Sequence, residues 1–403
     1  MDSLSQRHAA VSAPLIDAVM QEIAHRLPAA RSKEAQAFAA HLLERVPAED
    51  LAARSATDWA GLALDLLDRI RVRLPRQSVV RVFNPNRQEH GFDSTHTVLQ
   101  VATDDTPFLV DSVGMAVNAC GHLVHTVIHP IFLIERDASG HVLSLATDAP
   151  QGKGKAESVM HFEISRIAEP DEIEKLQSTV ESALDDVRAA VADWKAIGNK
   201  MLEVADGLSH SPSPLDAASI AEAQEFLRFV VDDHFTFLGY REYRVAEQDG
   251  EDMLVAVDGT GLGILRGDER SATPRSIKSL VASGLPRSGA SGAIILTKTN
   301  ARSTVHRPGY MDYIGVLGFD ASGKPVVEYR FLGLFTSGAY MRRPQDLPLV
   351  RQKVETVIGR SGLRRDSHSG RALRHILETL PRDELFQANE AELFEVAAGI
   401  LEL

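Results

Sequence analysis

Three stretches of this chain carry residue types at spacings that could do chemistry. The first is GTGLG over 259–263, which follows the strand-like MLVAVD and begins like the glycine-rich turn that cradles a dinucleotide pyrophosphate. A third glycine would have to fall at Ile264 or Arg266, and the following ILRGDERSATPRS does not read as a helix that could point its N-terminus at a phosphate. The stretch therefore reads as a glycine-rich turn. The second is His122, His125 and His129, spaced like ligands on a metal-binding helix but set in an apolar run that reads as strand, where only His125 and His129 share a face. Hydrogen-bonded strand histidines fit better, and no metal site is assigned. The third is the turn in RSTVHRPGYMDYIGVLGFD, which concentrates Arg302, His306, Arg307 and Tyr310. Such a cluster could clamp a carboxylate or phosphate, and it could equally make interdomain salt bridges. His306 with Asp312 could act as a base pair in a hydrolase or transferase. The pairs Arg342, Arg343 and Arg364, Arg365 read as solvated surface. No serine-histidine-aspartate order, paired-carboxylate motif or phosphate-loop signature occurs, so no catalytic residue is assigned.

The elements that would position such groups are best marked over 97–134, which reads as strand, polar turn, amphipathic helix and strand, the pattern of a small-ligand sensing module. Asp104, Asp105, Thr106 and Pro107 end a strand in which Leu99 and Val101 share a face. Thr106 can cap the following helix and Pro107 suits its first position. Leu109, Val113, Ala116, Val117 and Cys120 recur at helical spacing, and Gly121 is a natural stop. An apolar run over 123–134 follows. A hairpin over 137–140 returns through a strand at 142–146, and a strand over 160–166 alternates Met160, Phe162 and Ile164 against His161, Glu163 and Ser165. A helix over 169–194 closes the unit. Each element has one apolar side, so the economical fold is a four-stranded antiparallel sheet with two helices on one face.

Composition narrows the function classes. At 403 residues the chain is long enough for two or three domains. A net charge of -13 argues against nucleic-acid binding, which needs clustered cations. The single cysteine, Cys120, rules out an intramolecular disulfide and fits a reducing cytoplasm. No stretch approaches the roughly 20 apolar residues of a membrane span, and no cleavable signal is visible.

The fold class is α+β. Residues 1–78 read as a helical segment, with Ser55 and Asp58 forming a capping pair for a helix that carries Trp59, Leu62, Leu66 and Leu67. A ferredoxin-like sandwich occupies 79–205, and the polar GLSHSPSP over 207–214 reads as the linker after it. A second sensor module over 216–345 opens with a helix bearing Ala223, Phe226, Leu227, Val230 and Val231. It continues as two strands, a crossover with a short helix near 276–282, and three antiparallel strands, the element order of a PAS-like fold. Residues 346–403 are helical again. The chain stops within the last helix, as a piece of something longer would.

TPFLVDSV, EFLRFVVDDHFTFLGYREYR, GTGLGILR, RSTVHRPGYMDYIGV and HILETLPRDELFQ together resemble the large bacterial NAD-specific glutamate dehydrogenases, over about 80–403. The resemblance implies regulatory ACT-like and PAS-like modules followed by a catalytic domain that this sequence does not reach. NAD would then belong to the parent enzyme and no cofactor to this part. Its implied partners are the C-terminal catalytic part of the same polypeptide, further copies in a homo-oligomer, and an amino-acid effector. Nucleic acid and membrane are excluded as partners. In similar ACT-like modules the effector sits after the first strand, here Asp104, Asp105, Thr106, Pro107, Phe108 and Leu109. Amide donors at a helix start suit a ligand carboxylate, and the aspartates can accept from its ammonium. A purely structural assembly module is the alternative.

Overall fold

The computed structural model describes residues 2–146, 154–248, 250–267, 275–276 and 292–402. They form two compact units, one of residues 1–187 with 304–307, the other of 188–303 with 308–403. The first division falls inside a helix, not in the polar linker.

The first unit starts with helices α1 (Asp2–Arg26), α2 (Ala29–Leu43), α3 (Ala48–Ala52) and α4 (Ala56–Arg69). The Ser55–Asp58 cap forms as its sequence predicts: Ser55 Oγ accepts from the Asp58 amide at 3.1 Å. Next come β1 (Val79–Phe83), α5 (Arg87–His90), β2 (Thr97–Asp104), α6 (Leu109–Ala119), β3 (Val124–Ile128), β4 (Ile131–Arg136), β5 (Val142–Ala146), β6 (Lys155–Ile164) and α7 (Pro170–Gly207). The strands make one antiparallel sheet in the order β1-β2-β6-β4-β5, with β3 also on β6. The apolar run over 123–134 is broken at Pro130, which has no amide to give a ladder. Both halves pair end to end along β6.

The expectation of four strands with helices on one face is corrected here. The sheet has six strands, and α1 to α4 pack on the face that alternation marks as polar. Val98, Ala102 and Val159 on that face share a core with Phe38, Leu42, Trp59, Leu62 and Leu66. Phe38 of α2 stacks on Phe132 of β4 with ring centres 4.7 Å apart. His161 and Glu163, on the polar side of that alternation, are therefore buried. Glu163 and Gln100 tolerate this because they find partners there, whereas neither ring nitrogen of His161 has a hydrogen bond among the described residues. Glu163 accepts from Arg54 and from Ser94 Oγ, and Gln100 donates to Asp65, which also holds Arg81. Burial pushes the His161 imidazole down and keeps it neutral. For Glu163 burial acts upward, but His161, Arg54 and Ser94 more than reverse it and bring the carboxyl to about 2.

In the second unit, α8 (Ala217–Phe229) is capped by Asp216 on the Ser219 amide at 2.7 Å. A sheet follows of β7 (Phe235–Gln248), β8 (Glu251–Ala256), β9 (Leu262–Gly263), β10 (Arg275–Ser276), β11 (Ile294–Arg302), β12 (Tyr310–Phe319) and β13 (Pro325–Phe335). Its order is β10-β8-β7-β13-β12-β11, antiparallel throughout, with β9 on β7. The short helix read near 276–282 lies outside the described residues apart from Ser276, which is in β10. Five helices follow: α9 (Ser337–Met341), α10 (Val350–Arg360), α11 (His368–Thr379), α12 (Arg382–Gln387) and α13 (Glu390–Leu401). They share one core with α8 and the sheet through Phe226, Phe331, Phe335, Val354, Leu377 and Phe386. Buried Glu222 ties α8 to α10 by accepting from the Leu349 amide at 2.7 Å. Lys353 Nζ closes the end of α12 by donating to the carbonyls of Leu385, Phe386 and Ala388.

Two measurements check this arrangement. If helices and sheet of the first unit are one cooperative core, Phe38→Ala lowers its stability by about 3–5 kcal/mol; an unchanged urea midpoint for the sheet would contradict it. Glu163 stabilises the fold above its ordinary value near 4.5, and that contribution, about 3 kcal/mol, is lost as pH falls toward 2. Acid titration of Glu163→Gln should show a correspondingly shallower loss than the unsubstituted protein.

Candidate functional site

The loop between β2 and α6 is held by a buried ion network. Glu157, 1 % exposed on β6, accepts from Arg136 Nε and Nη2 at 2.7 and 2.8 Å and from Arg73 Nε at 3.0 Å. Burial acts to raise the Glu157 carboxyl, and the two guanidiniums more than offset it, holding the group below the usual carboxylate range. Arg73 also reaches Asp104 Oδ1 at 2.6 Å. The hairpin expected over 137–140 forms: Gly140 lies in the left-handed region at φ +85°, and a Cβ there would sit 2.5 Å from the Arg73 carbonyl oxygen. Only glycine lets the hairpin approach Arg73 this closely.

Asp105 is pinned next to it. Its amide donates to the Ala156 carbonyl at 3.0 Å, and its carboxylate accepts from Ser158 Oγ at 2.6 Å. Ser158 is in turn 2.9 Å from His129 Nε2, whose pKa burial lowers against the pull of Asp105. Because Asp105 extends the β2–β6 ladder, the helix cannot begin at Thr106. The expected Thr106 cap and Pro107 first turn are thus corrected: the chain passes through Phe108 in the left-handed region, φ +74°, and α6 starts at Leu109 with no side-chain cap. Gly121, at φ +86°, sits just past the end of α6 as expected.

Residue 306 belongs to the same unit and meets this helix start. The His306 amide donates to Ser112 Oγ at 3.2 Å, and its ring lies 4.6 Å from that of Phe108. Its Nδ1 is buried without a hydrogen bond among the described residues. Burial first, then the charge of Arg307, lowers its pKa, so the ring is neutral near pH 7. Arg302 and Tyr310 fall in the second unit, paired across β11 and β12, with the guanidinium 5.4 Å from the ring centre. The basic turn is thereby divided, with His306 and Arg307 in one unit and Arg302 and Tyr310 in the other.

The remaining sequence candidates have structural partners. His125 lies 3.5 Å from Ser165 Oγ and against His96, and among the described residues no group of three or more His, Cys, Asp or Glu could hold a metal ion. Asp312 accepts from Lys298 at 2.6 Å and from the Phe335 amide at 3.0 Å, so its carboxylate is committed there and not to His306. Asp193 occupies the place an anion would take in the glycine-rich turn, accepting from the Gly263 amide at 2.7 Å and from Arg266 at 2.5 Å. Arg73, Arg136 and Glu157 went unread in the sequence because nothing in their spacing joins them.

Such a construction defines the class: a helix-backed antiparallel sheet of ACT type, joined to a second antiparallel sheet and a helical motif. Residues 38–180 match the family model described as glutamate dehydrogenase, ACT1 domain, and residues 347–403 match glutamate dehydrogenase, helical motif 1. An NAD-specific glutamate dehydrogenase of Halomonas elongata is 34 % identical over 394 residues, covering 96 % of this chain and 24 % of the relative. Proteins of the same name from Pseudomonas aeruginosa and Mycobacterium tuberculosis are 34 % and 26 % identical over 91 % and 76 % of the chain, and 23 % and 18 % of their own lengths. The chain belongs to the family of large NAD-specific glutamate dehydrogenases. It spans about a quarter of the length of the first of these relatives. No helix among the described residues is long and apolar enough to cross a membrane.

The left-handed residue at the helix start gives a direct check. Phe108→Gly and Phe108→Ala both remove the ring, but only glycine takes φ +74° without strain. Thermal or urea unfolding should find the glycine variant about 1 kcal/mol more stable than the alanine variant.

Proposed function

We propose that this segment regulates a large NAD-specific glutamate dehydrogenase and has no turnover of its own. The parent reaction is the oxidative deamination of L-glutamate to 2-oxoglutarate and ammonia with NAD. On this reading NAD and glutamate bind in the catalytic part of the polypeptide, which is this segment's partner within a cytoplasmic homo-oligomer. The amino-acid effector binds at the loop Asp104 to Leu109. The observation that carries the reading is the uncapped N-terminus of α6, reached through the strained backbone of Phe108. First-turn amides lacking a cap suit a carboxylate, and strain of this kind concentrates at binding sites. Asp105, half-buried beside them, has acceptor capacity left for an ammonium.

The order of the second sheet supports a PAS-like module, since β7 lies between β8 and β13, and β11 and β12 extend the far side. Assembly without a ligand draws support from Leu123, Ile131 and Leu143, large apolar side chains exposed on the first sheet and its flank.

Calorimetry and thermal shift of the protein against the common amino acids test the effector site. A ligand at a hundredfold excess over its Kd stabilises the folded state by about 2.7 kcal/mol. A saturable response to an amino acid, removed by Asp105→Ala, is the expected result. No response at millimolar concentration would leave assembly as the function of this segment.

A further inference from the structure

The second unit holds a cleft of about 420 Å³ between the C-terminal turns of α7 with the chain that follows them and the face of β7, β12 and β13. That size suits a small organic ligand. Its floor carries Tyr240, only 3 % exposed, and Tyr329 beside it. Neither hydroxyl has a hydrogen-bond partner among the described residues, and both residues line the cleft, where a ligand can meet them. Burial, reinforced by the nearby Glu242, raises both phenol pKa values, so both groups stay protonated and able to donate and accept. Glu242 Oε1 accepts from Arg244 Nε at 3.2 Å, and Oε2 is left without a partner among the described residues. At the mouth Lys200 pairs with Glu203 at 2.6 Å, both well exposed. Val204, Leu208 and Val327 supply apolar wall.

We propose that this cleft is a small-molecule site of its own, taking an aliphatic amino acid with its ammonium against Glu242 and the hydroxyls of Tyr240 and Tyr329. Lys200 and Arg244 offset the charges of Glu203 and Glu242, so the free Glu242 Oε2, and not the net charge, is what draws a cation inside. A free carboxylate oxygen and two unpaired phenols match the three protons of an ammonium group. The apolar wall takes the side chain, and Lys200 at the mouth can turn from Glu203 to the ligand carboxylate. The site rests on no part of the loop reading, since every lining residue belongs to the second unit.

Isothermal titration of the 403-residue protein with L-leucine and, separately, with isopentylamine tests this, because the amine keeps the ammonium and alkyl body but lacks the carboxylate. Both should bind saturably, L-leucine severalfold more tightly. Glu242→Gln should weaken both by about tenfold or more and Tyr240→Phe by a smaller factor, with the fold of each variant checked by circular dichroism. Asp105→Ala should leave both unchanged. The proposal is overturned if neither probe binds at millimolar concentration, if isopentylamine binds and L-leucine does not, or if folded Glu242→Gln and Tyr240→Phe bind as well as the unsubstituted protein. L-leucine binding that is lost in Asp105→Ala and kept in Glu242→Gln assigns the ligand to the loop and overturns the cleft.

Discussion

A carboxylate that is almost fully buried in the middle of a sheet has to be surrounded by positive charge, and Glu157 of β6 is met by Arg73 and Arg136. Desolvating three ions costs several kcal/mol each, and the arrangement is tolerable only because every oxygen is taken. The three residues come from the chain after α4, from β4 and from β6, so the network fixes how the N-terminal helices meet the sheet and the register of β4 on β6. Asp104 is added through Arg73, and Asp105 follows one residue later on Ser158. The position of the α6 N-terminus is thus a consequence of an ion network beneath it. Removing one partner leaves charge buried and uncompensated, typically a loss of about 3–5 kcal/mol.

Strand and helix identities were legible where periodicity was strong. The alternation through Met160, Phe162 and Ile164, the stripe from Leu109 to Val117 and the Ser55 cap all stand in the structure. Periodicity failed at His161 and Glu163 because a polar face normally meets water. Here the cation that meets Glu163, Arg54, lies 109 residues earlier in the chain. The start of α6 was misread for a related reason. Thr106 and Pro107 have the right local chemistry for a cap, but a ladder hydrogen bond from Asp105 to Ala156 outcompetes it. Local propensity is a weak prior where the sheet has a claim on the same backbone.

Two turns, one glycine-rich and one not, show how backbone amides are claimed. At Gly263 a left-handed residue packs against the Leu238 carbonyl, where a Cβ would lie 2.1 Å from the oxygen, and its amide faces Asp193. The turn has the form of an anion nest, but the anion is supplied by the protein's own helix. At the start of α6 no side chain plays this part. That difference, more than any motif, separates a structural turn from a candidate binding loop.

The hydrogen bond from the His306 amide to Ser112 joins residues 194 positions apart. A nascent chain can lay down β2, α6 and β6 well before residue 306 leaves the ribosome, so the start of α6 acquires its final lining late. The same holds for an ACT module excised at the end of its family match near residue 180. It would keep the aspartates and the strand ladder yet lack the imidazole that packs on Phe108. A ligand survey on such a piece would therefore sample an unfinished loop, and a negative result from it would say little about the intact protein.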